Sequence, residues 1–308
     1  TSRKTSIAEP VVSDGGGSLH SYTEEEKVGF VDYINSRLAN DKDLSHIIPI
    51  NPDNLDIIPA VQGSILLNKL LSSLFPDKID LRKIILNKKM NVFEQIQNHN
   101  YAIKASQAVG CKLVGIGAED LRDGVVHLVF GVLWQIIKQG LLSKVNVTEH
   151  PELLELGLDA AEIERLSGAH PEQLLLKWVN YHLNNAGIER RMANFTDDVK
   201  DVELYVHLLN QLAPDECSTE ILQKKESLDR ANAFLEAADL VGCRKFVTPT
   251  DIVNGNYKLN MAFVANLFDR SALFERTAAK ARQERIAQAQ AEAADAAARS
   301  AEAERRAK

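Results

Sequence analysis

The sequence repeats itself at a nearly fixed distance, and this repeat limits the folds that the chain can adopt. Val109-Gly110-Cys111-Lys112 recurs as Val241-Gly242-Cys243-Arg244. A repeat of this kind indicates two copies of one domain of about 100 residues each rather than one large domain. An offset of 131 residues joins a further set of positions: Asp120 with Asp251, Gly124 with Gly255, Leu128 with Leu259, Leu133 with Val264, Ile136 with Leu267 and Ile137 with Phe268.

The residues around each repeated glycine look like an active site, but they have a structural interpretation. Gly110 and Gly242 stand where a helix ends in the left-handed conformation, which glycine adopts most easily. The small thiols of Cys111 and Cys243 then suit the position that folds back on the last helical turn. A further pair of acidic residues falls at the third position of a short helix, where a carboxylate stabilises the helix N-terminus: Asp120 and Asp251.

The apolar residues recur at helical spacing throughout the ordered part of the chain. Tyr33-Ile34-Asn35 matches Trp178-Val179-Asn180 at an offset of 145 residues, so each copy opens with an equivalent amphipathic helix. Alternating runs bounded by turns, which would indicate strands, are missing, and we therefore predict an all-α fold. Helices are expected near 24–38, 59–73, 91–109, 125–142, 158–166, 171–186, 201–212, 227–241 and 258–270.

These patterns divide the chain into five segments. A Ser- and Gly-rich N-terminal tail over 1–20 is followed by a first domain over 22–142. A more polar linker over 143–170 leads to a second domain over 171–271, which begins with a proline suited to the first turn of a helix. The last segment, 272–308, is rich in Ala, Arg and Glu and is predicted to be a solvated helix, with Ala-seam pairing to a helical partner and disorder as the alternatives.

Composition and motifs argue against catalysis and against several kinds of partner. The net charge of −7 does not favour nucleic-acid binding, and no apolar run is long enough to span a membrane. Gly115-Ile116-Gly117 does not complete a dinucleotide-binding motif, because Asp120 occupies the last position. Three cysteines and eight scattered histidines lack metal-ligand spacing, so we expect neither a metal nor a cofactor, in a non-enzymatic protein of a reducing compartment.

Several longer strings identify the family. The sequence resembles a tandem pair of calponin-homology domains, most closely the first actin-binding pair of the fimbrin (plastin) family, over about 22–270. The strings that carry the resemblance are His46-Ile-Ile-Pro-Ile-Asn-Pro52, Ile116-Gly-Ala-Glu-Asp-Leu121, His127-Leu-Val-Phe-Gly-Val-Leu-Trp-Gln-Ile-Ile-Lys138, Phe246-Val-Thr-Pro249 and Leu259-Asn-Met-Ala-Phe-Val-Ala-Asn-Leu-Phe268.

The resemblance implies a compact all-α tandem in the cytoplasm that binds the side of filamentous actin and contributes to filament bundling, cross-linking and cytoskeletal organisation. Members of the family also carry calcium-binding EF-hands and a second tandem. This sequence shows neither, so it is expected to be a fragment or a member that has lost them. A docking module of another cytoskeletal assembly, such as one built on microtubules, is the alternative.

The family's actin contact maps onto the helices expected over 24–38, 125–142 and 172–186. In the second of these, Phe130, Trp134, Ile137 and Leu141 share one face and are predicted to be core, as is Trp178 of the second domain. The residues predicted to contact actin lie off that face or on the first helix: Val132, Gln135, Ile136, Lys138, Gln139, Leu142, Asp32, Asn35 and Arg37.

Overall fold

A computed structural model of the chain describes residues 22–87, 89–148 and 150–271. These residues form α-helices and short 3-10 helices, and no strand occurs among them. The N-terminal tail predicted over 1–20 and the Ala-rich segment 272–308, with its alternative of pairing to a helical partner, lie outside the described residues. The described residues divide into two compact units. The first unit contains 22–27 and 37–136, and the second contains 28–36 and 137–271.

Twelve α-helices follow one another along the described residues. Short 3-10 helices lie between them at Lys42–Leu44, Leu81–Lys83, Pro151–Leu156, Asp197–Val199 and Thr219–Gln223. The α-helices are α1 (Glu24–Leu38), α2 (Ile57–Gln62), α3 (Leu66–Leu74), α4 (Val92–Ala108), α5 (Ala118–Asp123), α6 (Val126–Leu142), α7 (Ala160–Ala169), α8 (Pro171–Asn185), α9 (Glu203–Leu212), α10 (Ser227–Leu240), α11 (Pro249–Asn254) and α12 (257–271, to the end of the described residues).

The single helix expected over 59–73 is wrong, because the chain turns between α2 and α3. The turn contains Ser64, which adopts a left-handed backbone conformation with φ 66°. Such a conformation is uncommon for a residue with a side chain. Apolar periodicity continues on both sides of the turn, and so the sequence pattern did not reveal it. The segment 143–170, expected to be a linker with one short helix, contains α7 and a 3-10 helix.

The helix ends around the repeated glycines have the same hydrogen bonds in both units. After α4, the N–H of Cys111 donates to the carbonyl of Ser106 at 2.9 Å, and Gly110 has φ 98°. After α10, the N–H of Cys243 donates to the carbonyl of Ala238 at 2.7 Å, and Gly242 has φ 67°. This is the Schellman arrangement, in which a left-handed residue lets two later N–H groups reach the carbonyls of the last turn.

Each unit has its own apolar core. In the first unit, Tyr22 stacks on Phe130 of α6 with 4.0 Å between ring centroids. In the second, Trp178 of α8 meets Phe268 of α12 edge-on at 5.1 Å. Side chains with no exposed surface complete the two cores, for example Leu44, Ile57, Leu66 and Leu70 in the first unit and Tyr205, Phe234, Phe263 and Leu209 in the second.

Candidate functional site

The stretch 109–124 forms a structural joint between two helices. Cys111 is 5% exposed, and burial raises the pKa of its thiol to about 12, which leaves it protonated near neutral pH. The carboxylate of Asp120 accepts a hydrogen bond from the N–H of Gly117 at 2.8 Å, at the start of α5. The thiol is therefore a poor nucleophile, and the carboxylate is engaged in holding the backbone at the helix N-terminus.

The second copy of this joint is built in the same way. Burial raises the pKa of the Cys243 thiol to about 11, although the positive charges of Arg270 and Lys245 act in the opposite direction. Asp251 is buried and accepts hydrogen bonds from both the N–H and the hydroxyl of Thr248. No group of three or more His, Cys, Asp or Glu side chains within the described residues is placed to hold a metal ion.

Helix α6 is buried on more sides than the sequence indicated. The predicted core residues Phe130, Trp134 and Ile137 are at most 5% exposed. Val132, Ile136 and Leu142 are also buried, at 3% exposed or less. The expectation that these three lie off the buried face is therefore wrong for this structure. A helical wheel assigns one buried face, whereas a helix that is apolar almost all round can be covered on several sides.

The polar residues of α6 form a short strip along one side of the helix. Gln135, Lys138 and Gln139 are each half-buried, and the last two lie three and four residues after Gln135, on the same side of the helix. The amide oxygen of Gln135 accepts a hydrogen bond from the N–H of Lys112 at 3.2 Å. Lys138 forms an ion pair with Glu172, which lies in the same unit. We call Gln135, Lys138 and Gln139 the polar strip.

The three predicted contact residues of α1 are more accessible than most of those on α6. Asp32 and Arg37 are exposed, and Asn35 is half-buried. The Arg37 guanidinium donates to the carbonyl of Ser73 at 2.6 Å, which holds its side chain against the end of α3. Helix α1 starts at a cap formed by Thr23, whose hydroxyl accepts from the N–H of Glu26 at 3.2 Å.

The segment between α3 and α4 carries exposed apolar residues to which the sequence analysis gave no role. Val92 and Phe93, at the start of α4, are 58% and 75% exposed. Leu81 and Leu86 are also exposed, and Arg82, Lys83 and Lys89 lie in the same stretch. The signal in the sequence that could have indicated this exposed apolar surface is the alternation of Lys and Arg with apolar residues.

Within the described residues, no helix has both the length and the apolar character that crossing a membrane requires.

Two segments of the chain match one family of domains. The profile of the calponin homology (CH) domain matches residues 24–141 and again residues 169–272. The two matches nearly coincide with the domains predicted over 22–142 and 171–271.

The chain is similar to curated proteins over most of its length. Plastin-1 of Mus musculus is 47% identical over 262 residues, which are 82% of this chain and 41% of that protein. Plastin-3 of Homo sapiens is 45% identical over 263 residues, with the same coverage of 82% and 41%. The chain therefore spans less than half the length of these relatives.

A solved structure shares both fold and sequence with the chain. The crystal structure of the actin-crosslinking core of Schizosaccharomyces pombe fimbrin is 39% identical and superposes with a TM-score of 0.70. The match covers 80% of this chain and 50% of the fimbrin chain.

Proposed function

The chain belongs to the calponin homology (CH) domain family, and we propose that it binds the side of actin filaments without catalysing a reaction. The observation that carries this proposal is the match to the actin-crosslinking core of fimbrin, at 39% identity over 80% of the chain. At this level of identity, and with a TM-score of 0.70, the two share a fold. We place the protein in the cytoplasm, as part of the actin cytoskeleton.

The polar strip of α6 is the first part of the proposed contact. Amide side chains can donate and accept hydrogen bonds, and Lys138 adds a positive charge that suits an acidic filament surface. In the unbound chain, Lys138 is already paired with Glu172. Binding through Lys138 therefore requires the exchange of one carboxylate partner for another, which keeps the net gain from this residue small.

The exposed residues of α1 form the second part. Asp32 and Arg37 are exposed, and Asn35 is half-buried. Val132, Ile136 and Leu142 also remain in the proposal as contact residues. Because each is nearly fully buried, they contribute only if binding exposes them, and that exposure would cost the burial energy of three apolar side chains.

We also propose that the two CH domains of this chain contribute to the bundling and cross-linking of filaments. One tandem supplies one filament-binding unit, and two filaments can be joined only if a second site is present on the same molecule or on a partner. The chain spans 41% of the matched plastins and 50% of the matched fimbrin chain. Pairing of two chains through 272–308 would be one source of a second site.

Co-sedimentation with actin filaments tests the proposal. The full chain should pellet with filaments at tens of micromolar protein, and the bound fraction should fall as salt is raised, because charged contacts are screened. Lys138→Ala should weaken binding by about threefold to tenfold. Lys104→Ala is the matched control, since Lys104 is exposed on α4 and lies outside the proposed contact.

Two results would contradict the proposal. One is pelleting with filaments that stays at the level of the chain centrifuged alone. The other is pelleting with microtubules in place of actin filaments, which would make the tandem a docking module of a different cytoskeletal assembly. Thermal denaturation of both lysine variants should show an unchanged midpoint, so that a loss of binding reflects the contact itself.

A further inference from the structure

An open groove of about 890 Å³ crosses the surface of the first unit. One wall comes from the turn after α1, one from the break between α2 and α3, and one from the segment that leads into α4. Its apolar lining consists of Ile47, Ala60, Ile65, Leu86 and Met90.

A buried polar network holds the walls of this groove in place. The amide of Asn98 accepts from the N–H of Ile85 and donates to its carbonyl, both at 2.9 Å, which fixes the segment next to Leu86. Asn68 donates to the carbonyl of Ser64 at 3.1 Å and to that of Asn98 at 3.0 Å. Because three elements share one hydrogen-bond network, the groove exists before any ligand arrives, and binding requires little ordering.

The network also reaches the floor of the groove. Ser64, which has the left-handed backbone conformation between α2 and α3, donates its hydroxyl to the sulfur of Met90 at 3.6 Å. Ser64 is 1% exposed and is flanked in sequence by Gly63 and Ile65, which both line the groove. Buried polar side chains and an unfavourable backbone conformation are thus maintained directly beneath an open surface.

The rim of the groove carries an excess of positive charge. Lys42, His46 and Lys89 are exposed, and the side-chain ammonium groups of Lys42 and Lys89 have no ion-pair partner among the described residues. Among the described lining residues the one acidic side chain, Asp43, is already paired with Lys69. The charge left for a ligand is therefore positive, and the complementary ligand is an anion.

We propose that this groove binds an acidic peptide segment of a partner protein, with an apolar side chain seated on Ile65, Leu86 and Met90 and carboxylates facing Lys42 and Lys89. A peptide fits better than an enclosed small molecule, because Lys42, His46, Leu86 and Lys89 are all exposed. Small-molecule sites bury most of the ligand surface, whereas an open groove accepts one or two side chains of an extended chain. The proposal does not depend on filament binding.

Selection of random peptides displayed on phage, against the immobilised full chain, tests the proposal. The recovered peptides should combine an apolar residue with neighbouring Asp or Glu. One such peptide, synthesised with a fluorescein label, should bind the chain in an anisotropy titration. Lys42→Glu combined with Lys89→Glu should weaken its binding at least about tenfold, since two attractions become repulsions. The double variant Lys104→Glu with Lys112→Glu, at exposed positions of the same unit outside the groove, should not.

A second pair of variants tests the apolar part of the groove. Leu86 and Leu228 are both 47% exposed, and only Leu86 lines the groove. Leu86→Asp should therefore abolish peptide binding, and Leu228→Asp should leave it unchanged. The proposal is overturned if no acid-flanked apolar peptides are recovered, or if the recovered peptides bind the groove variants as tightly as the unaltered chain.

Discussion

The carboxylate of Asp251 accepts a hydrogen bond from the N–H of Thr248 at 2.8 Å, at the start of α11. The Thr248 side chain in turn accepts from the N–H of Asp251, and so the two residues form a reciprocal capping box. Gly117 and Asp120 form the corresponding contact at the start of α5, but glycine has no side chain with which to return it.

We expect Asp251→Ala to destabilise the protein more than Asp120→Ala does. Asp251 is 3% exposed and holds both the N–H and the hydroxyl of Thr248, which would lose a buried acceptor. The expected losses in the free energy of unfolding are about 2 kcal/mol for Asp251→Ala and about 1 kcal/mol for Asp120→Ala. Urea denaturation followed by circular dichroism measures both, and equal losses would contradict the prediction.

Two glycines with nearly the same backbone conformation should respond differently to alanine. Gly157 and Gly255 have φ of 73° and 69°. A Cβ on Gly157 would meet nothing within 4 Å, whereas one on Gly255 would lie 2.7 Å from the carbonyl oxygen of Thr196. Gly157→Ala should cost about 1 kcal/mol from the left-handed conformation alone, and Gly255→Ala about 2 kcal/mol more. Thermal denaturation midpoints of the two variants provide the comparison.

The stability of the protein should fall as the pH is lowered below 6.5. His99 has no exposed surface, and burial, together with the positive charge of Arg122, lowers its pKa from 6.5 to about 4. The unfolded chain therefore binds a proton between pH 6.5 and 4 that the folded chain does not. Above pH 6.5 the buried ring does not lower the free energy of unfolding. As the pH falls to 4, protonation of His99 in the unfolded chain lowers that free energy by on the order of 3 kcal/mol.

The control for this pH dependence is His99→Gln, which removes the titrating ring and keeps a polar side chain. Urea denaturation at pH 7.5 and at pH 4.5 should show a smaller difference in stability for the variant than for the unaltered chain. A difference of the same size in both proteins would assign the pH dependence to other groups.

The cysteines should be unreactive in the folded chain. Burial raises the pKa of Cys111 to about 12 and that of Cys217 and Cys243 to about 11. At pH 8 the thiolate fraction of each is very small, and the sulfurs are shielded from solvent. Ellman's reagent should therefore label the native protein slowly and label all three thiols at once in guanidinium chloride. A rapid first equivalent in the native state would refute this and would point to an accessible cysteine.

The helical class and the duplication were predictable, because they depend on signals that act over a few residues. A glycine after an apolar helix, a threonine before Pro249 and an acid at the third position each favour one local backbone conformation. The glycine and the acid occur twice in the sequence, and their hydrogen bonds occur twice in the structure, whereas the threonine cap occurs in the second copy alone. The repetition favoured a structural role for these residues over a catalytic one, because the helix ends must be formed in every copy of the domain.

The break at Ser64 could not be predicted in the same way. A serine in the left-handed conformation is held there by Asn68 and Asn98, which lie four and 34 residues further along the chain. The contact with Asn98 lies beyond the reach of any local sequence pattern. The groove above Ser64 was missed for the same reason, as its three walls come from segments that are separated in sequence.

The sequence by itself determined that the chain is helical, that it contains two related domains and where most of its helices end. These outcomes depend on backbone preferences and hydrogen bonds between near neighbours. Only the tertiary structure decided which faces of those helices are accessible, and it buried Val132, Ile136 and Leu142, which the helical wheel had left at the surface. The burial of a helix depends on the segments that pack around it. The apolar periodicity of the helix itself does not determine how many of its sides those segments cover.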